Sequence, residues 1–533
     1  MEKVKSWKEL TLREKIGQTV TITTGALFKQ LEEYENPKDF FEKYPIGGIF
    51  NSAKVTNVVG FVADGSLTLS DYLVEFNKHL RVPIIGSGDY GKYAKNPDFG
   101  KPSQLATGAA DDDEISYLTG ELFAEDFKAS GIHWGFSPVC DIARSIRSPL
   151  GSTRMVSDDP DTVIKVVKQQ LKAMKDRGVI ATIKHFPDCD TDDMIDNHLA
   201  PHDNEISLEK WYNTVGKVYK ALIDAGVPTI MTGHSNLVNY QTEKVDGAYP
   251  GATYSYELVN KLLREELGFK GVVVTDALTM GGFGGDKGIE RTIMSLEAGN
   301  DMLLWPDLRY IDELEKRILE GSFDEKILDT AVERIWKLKE EYGILDGRQV
   351  KCEEPESFFI ESAEKINKKS LTLINNYKNN FPFDKNKVKK ILIIGVTPND
   401  GEYESMQKLA DILRDKGFET DIERNVWVDH LQWKQDNYDL IIFALCRTFH
   451  KPHGPLDFWG REAVSIWASN AGDANKIVVC SFGTPNLYRY YMVSGLTYLN
   501  AYDCYEHTLK NFADALFGDS VPQGKSPVKF QLK

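Results

Sequence analysis

Eight short apolar runs, separated by stretches of helical periodicity, constrain this chain more than any other feature. They are Gln18–Thr23, Ile46–Phe50, Pro83–Asp89, Ile132–Val139, Val179–Phe186, Pro228–His234, Gly271–Asp276 and Asp301–Trp305. Strands that alternate with helices pair in parallel, because each return crossover is long enough to hold a helix. Between the runs, Asp159–Arg177 places Val163, Val166, Val167, Leu171 and Met174 at helical spacing, and Gly131, Gly178, Gly226 and Gly268 stand where helices should stop. Polar residues gather at the ends of the runs: Asp89, Asp141, Lys184, His185, His234, Asp276, Trp305 and Asp307. The starts carry mostly Gly, Pro, Ile and Val. One shared polar rim is what a (β/α)8 barrel of the TIM type produces, since its chemistry sits at the C-terminal ends of its strands. A doubly wound open sheet gives eight successive strands no reason to share such a rim.

The barrel is expected to occupy residues 1–347, with a charged, helical linker over 348–370 and a second domain over 371–533. In that domain Val388–Gly395, the helical Tyr403–Lys416 and Glu419–Ile422 read as a βαβ unit. Tyr438–Cys446, Lys476–Phe482 and Gly495–Asn500 add buried strands, giving an αβα sandwich.

Composition narrows the function. The 533 residues are 41% hydrophobic and 27% charged, with nine tryptophans, which is the make-up of a globular chain. A net charge of -16 opposes nucleic acid or anionic membranes as partners, because phosphate binding needs concentrated Lys and Arg. No stretch approaches the ~20 apolar residues that span a bilayer, and Met1–Thr11 lacks the apolar core of a secretory signal. The six cysteines show no C-x-x-C spacing, which fits free thiols and a cytoplasmic location.

Gly86–Gly91 spells G-x-G-x-x-G after a strand, yet prolines and further breakers follow where a dinucleotide fingerprint needs a helix. No cofactor is therefore expected. Lys184–Asp203 is the densest polar stretch, with His185, Asp188, Asp190, Asp192, Asp193, Asp196, His198, His202 and Asp203. Its spacing matches neither a zinc-protease helix nor a calcium loop, so no metal is expected. What remains is a solvated acidic loop or acid/base chemistry. Asp196 stands two residues from His198, close enough to orient the ring. Asp276, at the end of a strand, is either the carboxylate a glycosidase aims at the anomeric carbon or the N-cap of the next helix.

Taken together, the ordered motifs resemble those of the family 3 glycoside hydrolases, in their β-N-acetylglucosaminidase branch, over nearly the whole chain. They are Phe99–Gly108, Ser137–Ile142, Arg154–Pro160, Lys184–Pro187, Asp196–His198, Met231–His234, Leu262–Met280 and Ala298–Leu304. The resemblance implies a (β/α)8 barrel followed by an αβα sandwich. It implies that Asp276, in T-D-A-L-T-M, is the nucleophile, and that Asp196 and His198 form the general acid/base dyad of that branch. Asp89, Arg154, Lys184, His185 and His234 match sugar-binding positions. The implied activity is retaining hydrolysis of terminal β-linked N-acetylglucosamine from a small carbohydrate; a monomer or homodimer is expected. A β-glucosidase, a phosphorylase and a non-catalytic sugar binder stand as alternatives.

Three departures stand out. The family usually continues K-H-F-P with G-H-G, where this chain has Asp188-Cys189-Asp190. Asn197 replaces the Ser between the dyad residues, and Tyr90-Gly91-Lys92 follows Asp89, removing an Arg.

Overall fold

The computed structural model describes residues 3–52, 68–90, 101–145, 147–148, 152–189, 195–284, 288–447 and 457–530. Each predicted run contains one strand: β1 Val20–Thr23, β2 Gly48–Phe50, β3 Ile85–Gly88, β4 Trp134–Gly135, β5 Ile180–Phe186, β6 Thr229–Thr232, β7 Val272–Thr275 and β8 Leu303–Leu304. All pair in parallel in the order β7-β6-β5-β4-β3-β2-β1-β8. A parallel bridge from Val274 to Met302 joins the two ends and closes the barrel. Its interior is filled by Phe50, Ile85, Trp134, Ile180, Met231, Val274 and Met302. The Trp134 indole donates at 2.7 Å to Thr182 and at 3.0 Å to Thr229, so the polar atom of this buried ring is satisfied.

The punctuation acts as expected. Pro160 opens the helix Pro160–Asp176, and Asp159 accepts from the Thr162 N–H at 2.9 Å, capping the first turn. Gly131, Gly178, Gly226 and Gly268 all have positive φ, between 71° and 84°, which ends their helices at little steric cost.

The second sheet is mixed and has six strands: β9 Thr372–Asn375, β10 Lys390–Val396, β11 Glu419–Arg424, β12 Leu440–Leu445, β13 Ile477–Ser481 and β14 Thr497–Asn500. Their order is β11-β10-β12-β13-β14-β9, and only β9 runs antiparallel. Ile391 and Ile393 enter one core while Leu392 and Ile394 enter another, so β10 is buried on both faces. That is why its sequence reads as a continuous apolar run.

The chain forms two compact units. One comprises Met1–Pro97, Gly120–Asp141 and Val167–Glu354; the other comprises Asp98–Thr119, Ile142–Val166 and Pro355–Lys533. Among the described residues no helix is long and apolar enough to cross a membrane.

Candidate active site

In the first unit, Asp89 follows β3, Lys184 and His185 end β5, His234 follows β6 and Asp276 follows β7. The Lys184 ammonium lies 2.8 Å from Asp89 Oδ1 and 5.9 Å from the centre of the Phe136 ring. The Lys184–His185 peptide is cis. His185 Nδ1 lies 2.7 Å from Asp141 Oδ2, and its backbone N–H donates to Asp141 Oδ1 at 3.0 Å. Asp141 is fully buried. Burial works against its charge, but the imidazole and these hydrogen bonds outweigh that effect and hold its carboxyl below the usual range.

Asp276 remains partly open at its strand end. Packing by protein atoms pushes its pKa up, yet His185, His234, Lys184 and the Ala277 N–H at 2.8 Å more than offset this, leaving it at about 2. The carboxylate is therefore ionised across the neutral range.

Asp196 is 1% exposed, and its Oδ1 accepts from the His198 backbone N–H at 2.8 Å and from Nδ1 of the same ring at 2.6 Å. An ionised acceptor assigns the proton to Nδ1 and leaves Nε2 to exchange protons elsewhere. The loop carrying this pair is bound to the segment after Asp276. Gly281 N–H donates to the His198 carbonyl at 3.0 Å, and Gly282 N–H donates to the Asn197 carbonyl at 2.9 Å. The approach is so close that a Cβ on Gly281 would fall 2.2 Å from the Leu199 carbonyl oxygen.

His234 is 1% exposed and both ring nitrogens meet protein atoms, Nε2 at 3.0 Å from the Ala277 carbonyl and Nδ1 at 2.8 Å from Thr253 Oγ1. Burial depresses its pKa while the Asp276 charge opposes that shift, and Nε2 is placed to donate to the carbonyl of the residue after Asp276. Its contacts are those of a support for the Asp276 turn. Arg154 ends the short turn Ser152–Arg154 and belongs to the second unit. The acidic residues Asp190, Asp192 and Asp193 lie outside the described residues, as does Gly91 of the G-x-G-x-x-G run.

Other residues complete the site without having been singled out from the sequence. Ser235 Oγ lies 2.8 Å from His202 Nε2 and 3.3 Å from Asn197 Nδ2, and Asn236 accepts from the Asn204 N–H at 3.0 Å while donating to Asp203. These two residues after β6 therefore anchor the dyad loop. The Gly281-Gly282 dipeptide is the one signal in the sequence that marks such a close approach.

Residues 11–338 match the glycosyl hydrolase family 3 N terminal domain. A beta-N-acetylglucosaminidase/beta-glucosidase of Cellulomonas fimi is 30% identical over 309 residues, 55% of this chain and 54% of that one. Beta-hexosaminidase A of Pseudoalteromonas piscicida is 27% identical over 333 residues, 56% of this chain and 54% of that one. The chain thus spans about half the length of these curated relatives. A solved family 3 beta-N-acetylglucosaminidase from Paenibacillus sp. superposes with a TM-score of 0.79 at 23% identity, covering 98% of this chain and 99% of that one. A beta-glucoside phosphorylase superposes with a TM-score of 0.81 at 24% identity, covering 98% and 95%. With the family domain matched over more than half its length, and a closed barrel beneath that match, this chain belongs to glycosyl hydrolase family 3.

Proposed function

We propose that this chain hydrolyses terminal β-linked N-acetylglucosamine by a retaining double displacement. The observation that carries this reading is the Asp196–His198 pair, closed at 2.6 Å on a loop hydrogen-bonded to the turn that follows Asp276. Asp276 attacks the anomeric carbon as the bond to the departing oxygen breaks, and that oxygen takes a proton from His198 Nε2. Asp196 holds the ring through Nδ1 and offsets the charge it carries. Water then gives a proton to Nε2 and displaces Asp276, restoring the enzyme. Asp89, Lys184 and His185 receive the sugar, and His234 acts one step back through its contact with the Ala277 carbonyl.

The Cellulomonas fimi relative bears both activities in its name, so the choice between an acetamido sugar and glucose is put to experiment. An aryl β-N-acetylglucosaminide should be cleaved faster than the matching β-glucoside, with the β-anomer of the sugar released first. A glucoside preference would overturn the choice of sugar. Phosphate replacing water as acceptor would make the chain a phosphorylase. Unchanged activity in Asp276→Ala would remove the nucleophile assignment. Six free thiols suit the reducing cytoplasm, and we place a monomer or homodimer there.

A further inference from the structure

At the end of β5, three residues with different ligand chemistry converge. Asp141 is 0%, His185 6% and Cys189 4% exposed. Asp141 Oδ2 lies 2.7 Å from His185 Nδ1 and 3.0 Å from Cys189 Sγ, and one ligand atom from each residue lies within 4.8 Å of the others. The other carboxylate oxygen, Oδ1, accepts backbone N–H bonds from His185 at 3.0 Å and Cys189 at 3.2 Å. The carboxylate is thus clamped from behind while its Oδ2 faces the imidazole and the thiol, the kind of outer support that ligating carboxylates receive. Cys189 is one of the positions at which this chain departs from its family's usual G-H-G.

We infer that Asp141, His185 and Cys189 form a binding site for a thiophilic divalent cation of the zinc class. Thiolate, imidazole and carboxylate are the three donor types that zinc accepts, and a buried set of three leaves one position for water. On binding, the thiol loses its proton to solvent and the sulfur bonds the metal. The Nδ1 proton is displaced as Nδ1 bonds the metal, so together with the thiol proton one proton is released for each cation when the ring starts neutral and two when it starts charged. The carboxylate exchanges two hydrogen bonds at Oδ2 for one metal bond. Two consequences reach the catalytic centre. The metal fixes His185 through Nδ1, and positive charge is added beside Asp276, which already feels the His185 ring. The cation therefore inhibits: it occupies the support of a sugar-binding residue and takes no part in the reaction. The inhibition rests on the proposed role of His185, whereas the metal binding does not.

The test titrates the full-length, metal-stripped protein with Cd2+ and follows the ultraviolet thiolate-to-metal charge-transfer band, alongside aryl glycosidase activity. Wild type should develop a band that saturates at one cation per chain, with activity falling in step and returning on chelation. Cys189→Ser keeps a hydroxyl donor for Asp141 and loses the soft ligand, so it should bind more weakly by over the ~100-fold that removing an outer-shell partner costs. Cys504→Ser, in the second unit, should titrate like wild type. Absence of the band, or a band unchanged in Cys189→Ser, would overturn the site. A band without loss of activity would overturn the inhibition. A metal-free protein inactive on every aryl glycoside would instead sink the glycosidase reading, while the titration still decides the metal site.

Discussion

Replacing Asp196 by Asn tests the dyad most directly, because Asn keeps the size and one acceptor oxygen while removing the charge. The bond lost is a charge-assisted one of 2.6 Å to His198 Nδ1, made by a carboxylate that is 1% exposed to a ring whose side chain is 24% exposed. Such bonds are worth roughly 1.5–3 kcal/mol. At about 1.36 kcal/mol per decade, that corresponds to roughly a 10- to 160-fold slower step wherever His198 transfers a proton. The effect should therefore depend on the leaving group. An alkyl β-N-acetylglucosaminide needs protonation of its departing oxygen and should lose the full factor in kcat/KM. A dinitrophenyl glycoside, whose leaving group departs unprotonated, should lose almost none. The assay is initial rates on both substrates at matched pH, with thermal unfolding of the variant as a check on its fold. Equal losses on the two substrates would refute the reasoning, since Asp196 would then be acting on the nucleophilic step or on the fold.

Gly281→Ala places a Cβ 2.2 Å from the Leu199 carbonyl oxygen, so the dyad loop has to move; activity should fall on both substrates with smaller change in melting temperature, and a fully active variant would show the loops are not held as described. Asp301, fully buried, joins Arg264 at 2.7 Å, Arg334 at 2.9 Å and the Val273 N–H at 2.7 Å. Asp301→Ala strands the buried Arg264 charge and should cost about 3–5 kcal/mol in denaturant unfolding, and a loss under about 1 kcal/mol would contradict this. Lys339 is buried, with Nζ donating to Gln18 Oε1 at 2.8 Å, the Gly47 carbonyl at 2.9 Å and the Pro83 carbonyl at 2.8 Å. Burial, with the Lys3 charge adding to it, pushes its pKa down to about 7, while hydrogen bonds to three acceptors favour the charged form. Where the folded value lies below the unfolded ~10.4, the unfolded chain binds the extra proton between them, so wild type should gain stability relative to Lys339→Met as pH rises from 7 toward 10 and run parallel to it below 7. A difference independent of pH would mean that the three acceptors keep the ammonium charged throughout.

Much of the architecture was legible because it is written in local patterns. Period and punctuation located all eight barrel strands; β7, buried on both faces, opens as an unbroken apolar run, and β5 is buried throughout although it carries Lys184 and His185. The short edge strand β9 escaped notice: Thr372–Asn375 is polar at both ends, pairs on one side only and carries no alternation over so few residues. Asp89, Lys184, His185, His234 and Asp276 were legible as strand-end polar residues, and in the first unit the barrel brings their segments to one rim. What each side chain does there was not legible. Asp196 and His198 are near neighbours in sequence, yet nothing local says that Gly281 and Gly282 will hold their loop against the turn after Asp276. The Cys189 thiol reaches the Asp141 carboxylate, 48 residues earlier, only because β4 and β5 are adjacent. His234 shows the distinction most plainly: its place at a strand end is legible in the sequence, while its contacts with the Ala277 carbonyl and Thr253 Oγ1 are seen only in the structure. Sequence determined the elements and the rim, because helix and strand periodicity are properties of neighbouring residues. Only the tertiary structure decided the pairings, because hydrogen-bond partners and the local field at a carboxylate depend on segments that meet in space from distant parts of the chain.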